Sequence, residues 1–343
     1  MFKNEKKINT LFFYWLVISL ILVFFIIIIG GLTRLTNSGL SITEWELFKG
    51  LLPPLNEKSW NNYFEEYKKI PQYKLLNFNM DLKEFKIIFY WEYIHRFIAR
   101  VIGLFFLIPI IFFFISKQIK NEYLKICFYV LLLIILQGIV GWYMVKSGLV
   151  HDVTVSHYML SIHLTTAFII ISTIFWLLMN VIKKRNKKFF KISNNNFPFI
   201  GLIFLILLQI IIGAFVSGLD AGRIYQTWPL MGNSFFPNDI VFENYINLIE
   251  FSNHSLVQFY HRNLAYLITI YTLILSFFIY KKKLLSLYFA TKVLLFFLFL
   301  QAFLGILTLV SGLNIYLASS HQITSVLLIL SALNLYYLKF FCA

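Results

Sequence analysis

Eight separate stretches of this chain are each long and apolar enough to cross a bilayer, at roughly 11–30, 88–115, 125–145, 158–182, 197–217, 256–280, 287–311 and 319–341. A spanning helix needs about 20 mostly apolar residues. With 59% of 343 positions hydrophobic and only 13% charged, the chain has more apolar surface than one soluble core could hide. Lipid offers backbone N–H and C=O groups no partners, so the spans are expected to be helices. The expected fold class is an all-α integral membrane protein with eight transmembrane helices.

The net charge of +15 does not point to nucleic acid, because the basic residues gather in alternate short connections: Lys3, Lys6 and Lys7; Lys117, Lys120 and Lys125; Lys183 to Lys191; Lys281 to Lys283. That alternation follows the positive-inside rule and puts both termini in the cytoplasm. The other loops, including the long ones at 31–87 and 218–255, then face outward. The loop at 31–87 mixes eight Lys/Arg with seven Asp/Glu and orients little. No small-residue cleavage site follows the first span, and MFKNEKKINT is short and basic, so no cleaved targeting segment is expected. Cys127 and Cys342 lie toward the cytoplasmic side and leave no outer disulfide.

The chain repeats itself. EYIHRFIARVIGL at 92–104 matches QFYHRNLAYLITI at 258–270, and LQGIVGWYMVKSGL at 136–149 matches LQAFLGILTLVSGL at 300–313, in the same order. With four spans in each copy the two share one orientation, a parallel repeat about an axis along the membrane normal. Two tandem four-helix bundles are expected, one in residues 1–191 and one in 192–343.

His95, His163, His261 and His321 recur at equivalent repeat positions, each expected within about two turns of the outer end of an even-numbered span. An imidazole inside a membrane helix is costly unless it faces the bundle interior, which makes it a functional-site candidate. A helix cap or a bond to a neighbouring hydroxyl would explain one such residue better than four in register. Two imidazoles from two helices can supply both axial ligands of a haem. Non-haem iron or copper wants a third or fourth protein ligand, and each half offers one regular pair. Arg96 and Arg262 follow two of the histidines and suit either haem propionates or interfacial snorkelling. His151, His157 and His254 lie in or beside outer loops with no partners in register and read as solvated residues, a role at the haem edge being the lesser alternative.

The halves differ three residues before the first histidine of each pair, where Glu92 faces Gln258. That spacing sets both side chains on the histidine face of the helix. A carboxylate beside such a site can accept a proton or stabilise positive charge, and glutamine cannot do the first. Glu92 can equally pair with Arg96 one turn on, and the two roles are compatible. The first half also carries LTRLTNSGLSITEW at 32–45 and a Pro-Pro turn at 53–54, extra outer material that suits a substrate lid.

GGLTRLTNSGLSITEW after the first span, EFKIIFYWEYIHR entering the second, GWYMVKSGL after the third and the later HR and HQ histidines resemble the haem A synthase family of the proteobacterial and mitochondrial type, over nearly the whole chain. The resemblance implies oxidation of the C8 methyl of haem O to the formyl group of haem A for cytochrome c oxidase, through an alcohol and a gem-diol. It implies that His95 and His163 line the haem O site, that His261 and His321 ligate a haem b that carries electrons away, and that Glu92 is the family's important glutamate. It implies a bacterial inner (plasma) membrane location and is compatible with handover from a haem O synthase and with a homo-oligomer. The chain departs from the family at Met159, where an arginine is expected, and it lacks the cysteine pair some bacterial members carry in the first outer loop. A dihaem b-type electron-transfer protein or quinone oxidoreductase would use the same histidines but gives no reason for Glu92 to differ from Gln258. A transporter could share the parallel repeat but would leave the histidines unexplained.

Overall fold

A computed structural model describes residues 9–44, 49–149, 153–185, 188, 195–240 and 251–340. Ten α-helices carry the described chain: α1 (Thr10–Leu35), α2 (Glu57–Lys68), α3 (Pro71–Leu75), α4 (Leu82–Ser116), α5 (Asn121–Gly148), α6 (His157–Ile182), α7 (Phe197–Gly218), α8 (His254–Lys281), α9 (Tyr288–Val310) and α10 (Ile315–Lys339). All but α2 and α3 are long and apolar enough to cross a membrane, which gives the eight expected spans. Among the described residues there is no strand beyond an isolated bridge between Met231 and Ser234.

Helix ends follow local chemistry. Asn9 caps α1 by accepting from the Phe12 N–H, and Asn253 caps α8 by accepting from the Leu256 N–H. A reciprocal capping box between Asp81 and Glu84 starts α4. That start lies well above the expected boundary near residue 88, so His95 sits more than three turns down its helix. His163, His261 and His321 lie within two turns of theirs, as expected. The extra length of α4 exists because α2 packs on it: Trp60, Phe64 and Tyr67 meet Phe85 and Phe89 in a buried aromatic cluster. Tyr67 donates to Gln72 Oε1 and accepts from Asn77 Nδ2, and burial pushes its phenol up to about 12, so it stays a neutral donor.

The helices α1, α4, α5 and α6 touch in a ring, and so do α7, α8, α9 and α10. The rings meet through α6 against α7, α1 against α10, and α6 against α10. At the last contact Trp176 stacks on Tyr336, and the Tyr337 hydroxyl donates to Asn180 Oδ1 at 3.2 Å. The ends of α1 and α7 are tied by Arg34, which donates to the Ser217 carbonyl at 2.5 Å and pairs with Asp220 at 3.2 Å. Cations suit the carbonyl-rich end of a helix. Helix α6 is therefore the most enclosed span and α9 the least.

Candidate functional site

The four span histidines come together in two pairs. The rings of His95 on α4 and His163 on α6 lie 6.3 Å apart at 61° between planes, and those of His261 on α8 and His321 on α10 lie 6.5 Å apart at 74°. Each ring is admitted by a glycine on a neighbouring helix. A Cβ built on Gly30, Gly141, Gly213 or Gly305 would lie 3.0, 3.1, 3.0 or 2.9 Å from Cε1 of His95, His163, His261 or His321. Distances this short require the ring to move, so small residues are what let these helices approach with an imidazole between them.

Three of the four glycines stand one turn after a glutamine. Gln137 Nε2 donates to the His163 carbonyl at 2.9 Å. Gln209 Nε2 donates to the His261 carbonyl at 2.9 Å and lies 3.1 Å from its Nδ1. Gln301 Nε2 lies 3.3 Å from His321 Nε2, and the Gln301 carbonyl lies 3.1 Å from His321 Nδ1. The fourth glycine, Gly30, follows Ile26 instead. His95 Nδ1 is buried without a hydrogen-bond partner.

Above the first pair, Glu92 is only 3% exposed and fully engaged. Its Oε2 accepts from Ser41 Oγ at 2.7 Å and from the Ile42 N–H at 2.9 Å, and its Oε1 accepts from Arg96 at 2.5 Å. Arg96 also donates to the Ile42 carbonyl at 3.1 Å. The Glu92–Arg96 pair read from the i,i+4 spacing is therefore formed, and the carboxylate in addition fastens the segment after α1 onto α4. Trp45, the last residue of the expected lid motif, lies outside the described residues.

The second half does the same job with neutral chemistry. Gln258 Nε2 donates to the Tyr225 carbonyl at 2.9 Å, and Arg262 donates to the carbonyls of Tyr225 at 2.9 Å and Thr227 at 2.8 Å. Outer material thus covers both pairs, which corrects the expectation that only the first half is covered. It could not be read from the sequence because residues 225–230 share no motif with 38–44. Both arginines hold backbone carbonyls of these segments, a partner neither sequence reading anticipated.

His157 is not a solvated loop residue. It opens α6 packed against Tyr158 and Phe215 at ring distances of 4.1 and 5.6 Å, with Nε2 buried, because α6 and α7 close on it at Gly218. His254 is exposed, as expected, and His151 lies outside the described residues. Met159 is partly buried in the first turn of α6 and provides no cation there.

The arrangement can be tested against haem. Two imidazoles bonded to one metal from opposite sides, at about 2 Å per bond, have ring centres roughly 6 Å apart. Both observed separations meet this. Among the described residues no group of three or more His, Cys, Asp or Glu side chains could hold a metal ion. Each pair thus offers two nitrogens, the number a porphyrin-bound iron needs. The residues present fit the group.

The glycines and glutamines are the site residues that sequence reasoning did not single out. Their signal was present, since Gln137 and Gly141 align with Gln301 and Gly305 inside the quoted repeat. What periodicity could not supply was which helix face each occupies.

The chain matches, over residues 13–333, the family described as cytochrome oxidase assembly protein. It is 46% identical to the haem A synthase of Pelagibacter ubique, covering 98% of this chain and 99% of that one. It is 40% identical to the haem A synthase of a Wolbachia from Brugia malayi, over 96% of this chain and 97% of its relative. It is 41% identical to that of Flavobacterium psychrophilum, over 95% and 96%.

Proposed function

The chain belongs to the haem A synthase family of cytochrome oxidase assembly proteins, and from that premise we propose that it oxidises the C8 methyl of haem O to the formyl group of haem A. Residues 1–191 form the substrate half, with haem O held between His95 and His163. Residues 192–343 form the cofactor half, with haem b held between His261 and His321. The observation that carries this reading is that, at the matched buried helix position three residues before the first histidine of each pair, one half has the carboxylate Glu92 where the other has the neutral Gln258.

When bound, haem b would take electrons from the substrate half one at a time and pass them to an electron acceptor outside this chain. Two oxidations are needed. Each removes two electrons and two protons from the methyl carbon and water together, giving first the alcohol and then the gem-diol, which loses water to the aldehyde. Glu92 is the group placed to answer the charge that this creates. A buried carboxylate fixed by Ser41, Ile42 and Arg96 is already oriented and needs no solvent rearrangement to stabilise positive charge at the carbon. It can also take the proton released as water adds. Gln258 can hold its roof but can do neither. Arg96 keeps Glu92 in place and shields it from its own desolvation cost. Arg96 and Arg262 are the cations assigned to haem propionates, and Arg262 Nε, buried without a hydrogen-bond partner, is a donor left for one.

The protein is a multi-pass membrane protein. We place it in a bacterial plasma membrane with both termini in the cytoplasm, so that the histidines lie toward the outer face and the lysine-rich turns inside. The substrate is hydrophobic, which favours direct handover from a membrane-bound haem O synthase.

The test is to coexpress the chain with a haem O synthase and extract the pigments. Haem A is expected. Abundant, haem-loaded protein with haem O left unchanged would instead make it a dihaem electron carrier.

A further inference from the structure

Gln209 and Ile26 occupy equivalent positions, each one turn before the glycine that admits the first histidine of its half. The consequence for the two rings is opposite. Gln209 reaches the ring and the carbonyl of His261, whereas His95 Nδ1 is buried with nothing to bond. Gln209 Oε1 is itself buried without a partner.

These two orphans answer one question about metal binding. An imidazole that ligates iron through Nε2 carries its proton on Nδ1, and such a proton is normally given to an acceptor that fixes the tautomer and the ring. A half-turn of the Gln209 amide offers the unpartnered Oε1 to His261 Nδ1–H. The bond given up goes to a carbonyl inside α8, which the helix itself still serves. Around His95 no such exchange is available, because Ile26 has no polar atom.

We infer that Gln209 is a positioning residue that makes His261 a firm ligand of a resident haem, and that isoleucine at the equivalent position, Ile26, leaves His95 a loosely held ligand from which haem exchanges. The inference rests on the proposed assignment of substrate to the first half and cofactor to the second. It explains how one repeated unit can keep one haem and release another: a substrate site must let its product go. Glu92 selects which haem is changed, and the glutamine selects which haem stays.

The test uses full-length protein in detergent, loaded with haem, and measures the rate of haem transfer to excess apomyoglobin together with the low-spin electron paramagnetic resonance spectrum. Gln209→Leu is expected to speed loss of the slowly exchanging haem by about 10- to 100-fold, the range typical when a bond that orients a metal-ligating histidine is lost, and to shift its spectrum. Ile26→Gln is expected to slow loss of the fast-exchanging haem by at least about tenfold, on the same basis. If Gln209→Leu proves unstable, Ile26→Gln still decides, because it puts a side chain of similar size at a position that is only partly buried. Unchanged transfer rates and spectra in both variants would overturn the inference. Neither readout depends on haem A being formed, so failure of the proposed oxidation and failure of this inference give different results.

Discussion

The two halves meet the same mechanical problem with different atoms. In each, the helix that carries the first histidine must also hold down the outer segment that follows the preceding span. The first half uses a carboxylate that accepts from Ser41 and Ile42, and the second uses an amide that donates to Tyr225. Since glutamine suffices for the mechanical task, the buried charge in the first half needs another justification. Burying a carboxylate is costly even when it is paired, and an arginine one turn away together with two further donors is what it takes to keep this one. That expense, incurred at one of two matched sites, is the physical argument that chemistry happens there.

The strongest test of this contrast is Glu92→Gln, which gives the first half the side chain of the second. Production of haem A should fall at least about 100-fold, in line with the loss of a positioned acid–base group. The haem proposed to lie between His261 and His321 should keep its wild-type spectrum and yield. Haem A made at the normal rate would show that the charge is only a fastener. The reciprocal Gln258→Glu should not create activity in the second half.

A second test removes the space around the rings. Gly213→Ala or Gly305→Ala puts a methyl group about 3 Å from a histidine Cε1, so the ring must rotate or the helices must part. Overpacking of this kind typically costs about 1–3 kcal/mol. Haem content of the second half should drop several-fold, read as pigment per protein after purification. Serine should be nearly as damaging, since its Cβ occupies the same place. Normal haem content in both alanine variants would mean the close approach has no bearing on binding.

How far this was legible beforehand differs by residue. The eight spans, the pairing of histidines and the break at Glu92 follow from hydropathy and self-alignment, because a repeat places equivalent residues at equivalent depth. The upward extension of α4 was not legible, since Phe85 and the amphipathic α2 read as loop until their aromatic faces are seen to meet each other and Phe89. Nor was the role of Ser41 and Tyr225, because a backbone carbonyl or a lone hydroxyl leaves no pattern in sequence. His157 was misread for a related reason: its burial depends on Gly218 of another helix.

A smaller effect is expected from Ser41→Ala, which removes one of the two donors to Glu92 Oε2 and leaves the Ile42 N–H and Arg96 in place. Hydrogen bonds to charged groups contribute about 1.5–3 kcal/mol, and the remaining donors can compensate in part. Haem A formation should fall roughly tenfold, and Ser41→Thr, which keeps the hydroxyl, should recover most of it. A variant without any hydroxyl that works at full rate would remove Ser41 from the account. The second half has no side-chain donor to match, because Gln258 is met there by the backbone carbonyl of Tyr225.

The smallest effect concerns how the second roof is pinned. Asp239 accepts from Tyr225 Oη at 2.6 Å and from Ser255 Oγ at 2.7 Å, joining the outer segment to the first turn of α8. Partial burial raises its pKa, but the two hydroxyl bonds outweigh it and hold the carboxyl below its ordinary 3.8. A depressed value in the folded state means the stabilisation is fully present above pH 3.8 and is lost as the pH falls through the lower folded value. Asp239→Asn should therefore lower the thermal midpoint by about 2 °C at neutral pH, and the gap from wild type should close on acidification. Because the first roof depends on Glu92 and Arg96 instead, haem A formation should be nearly unchanged in this variant. A gap that persists below the folded value would mean that shape, not charge, ties this segment down.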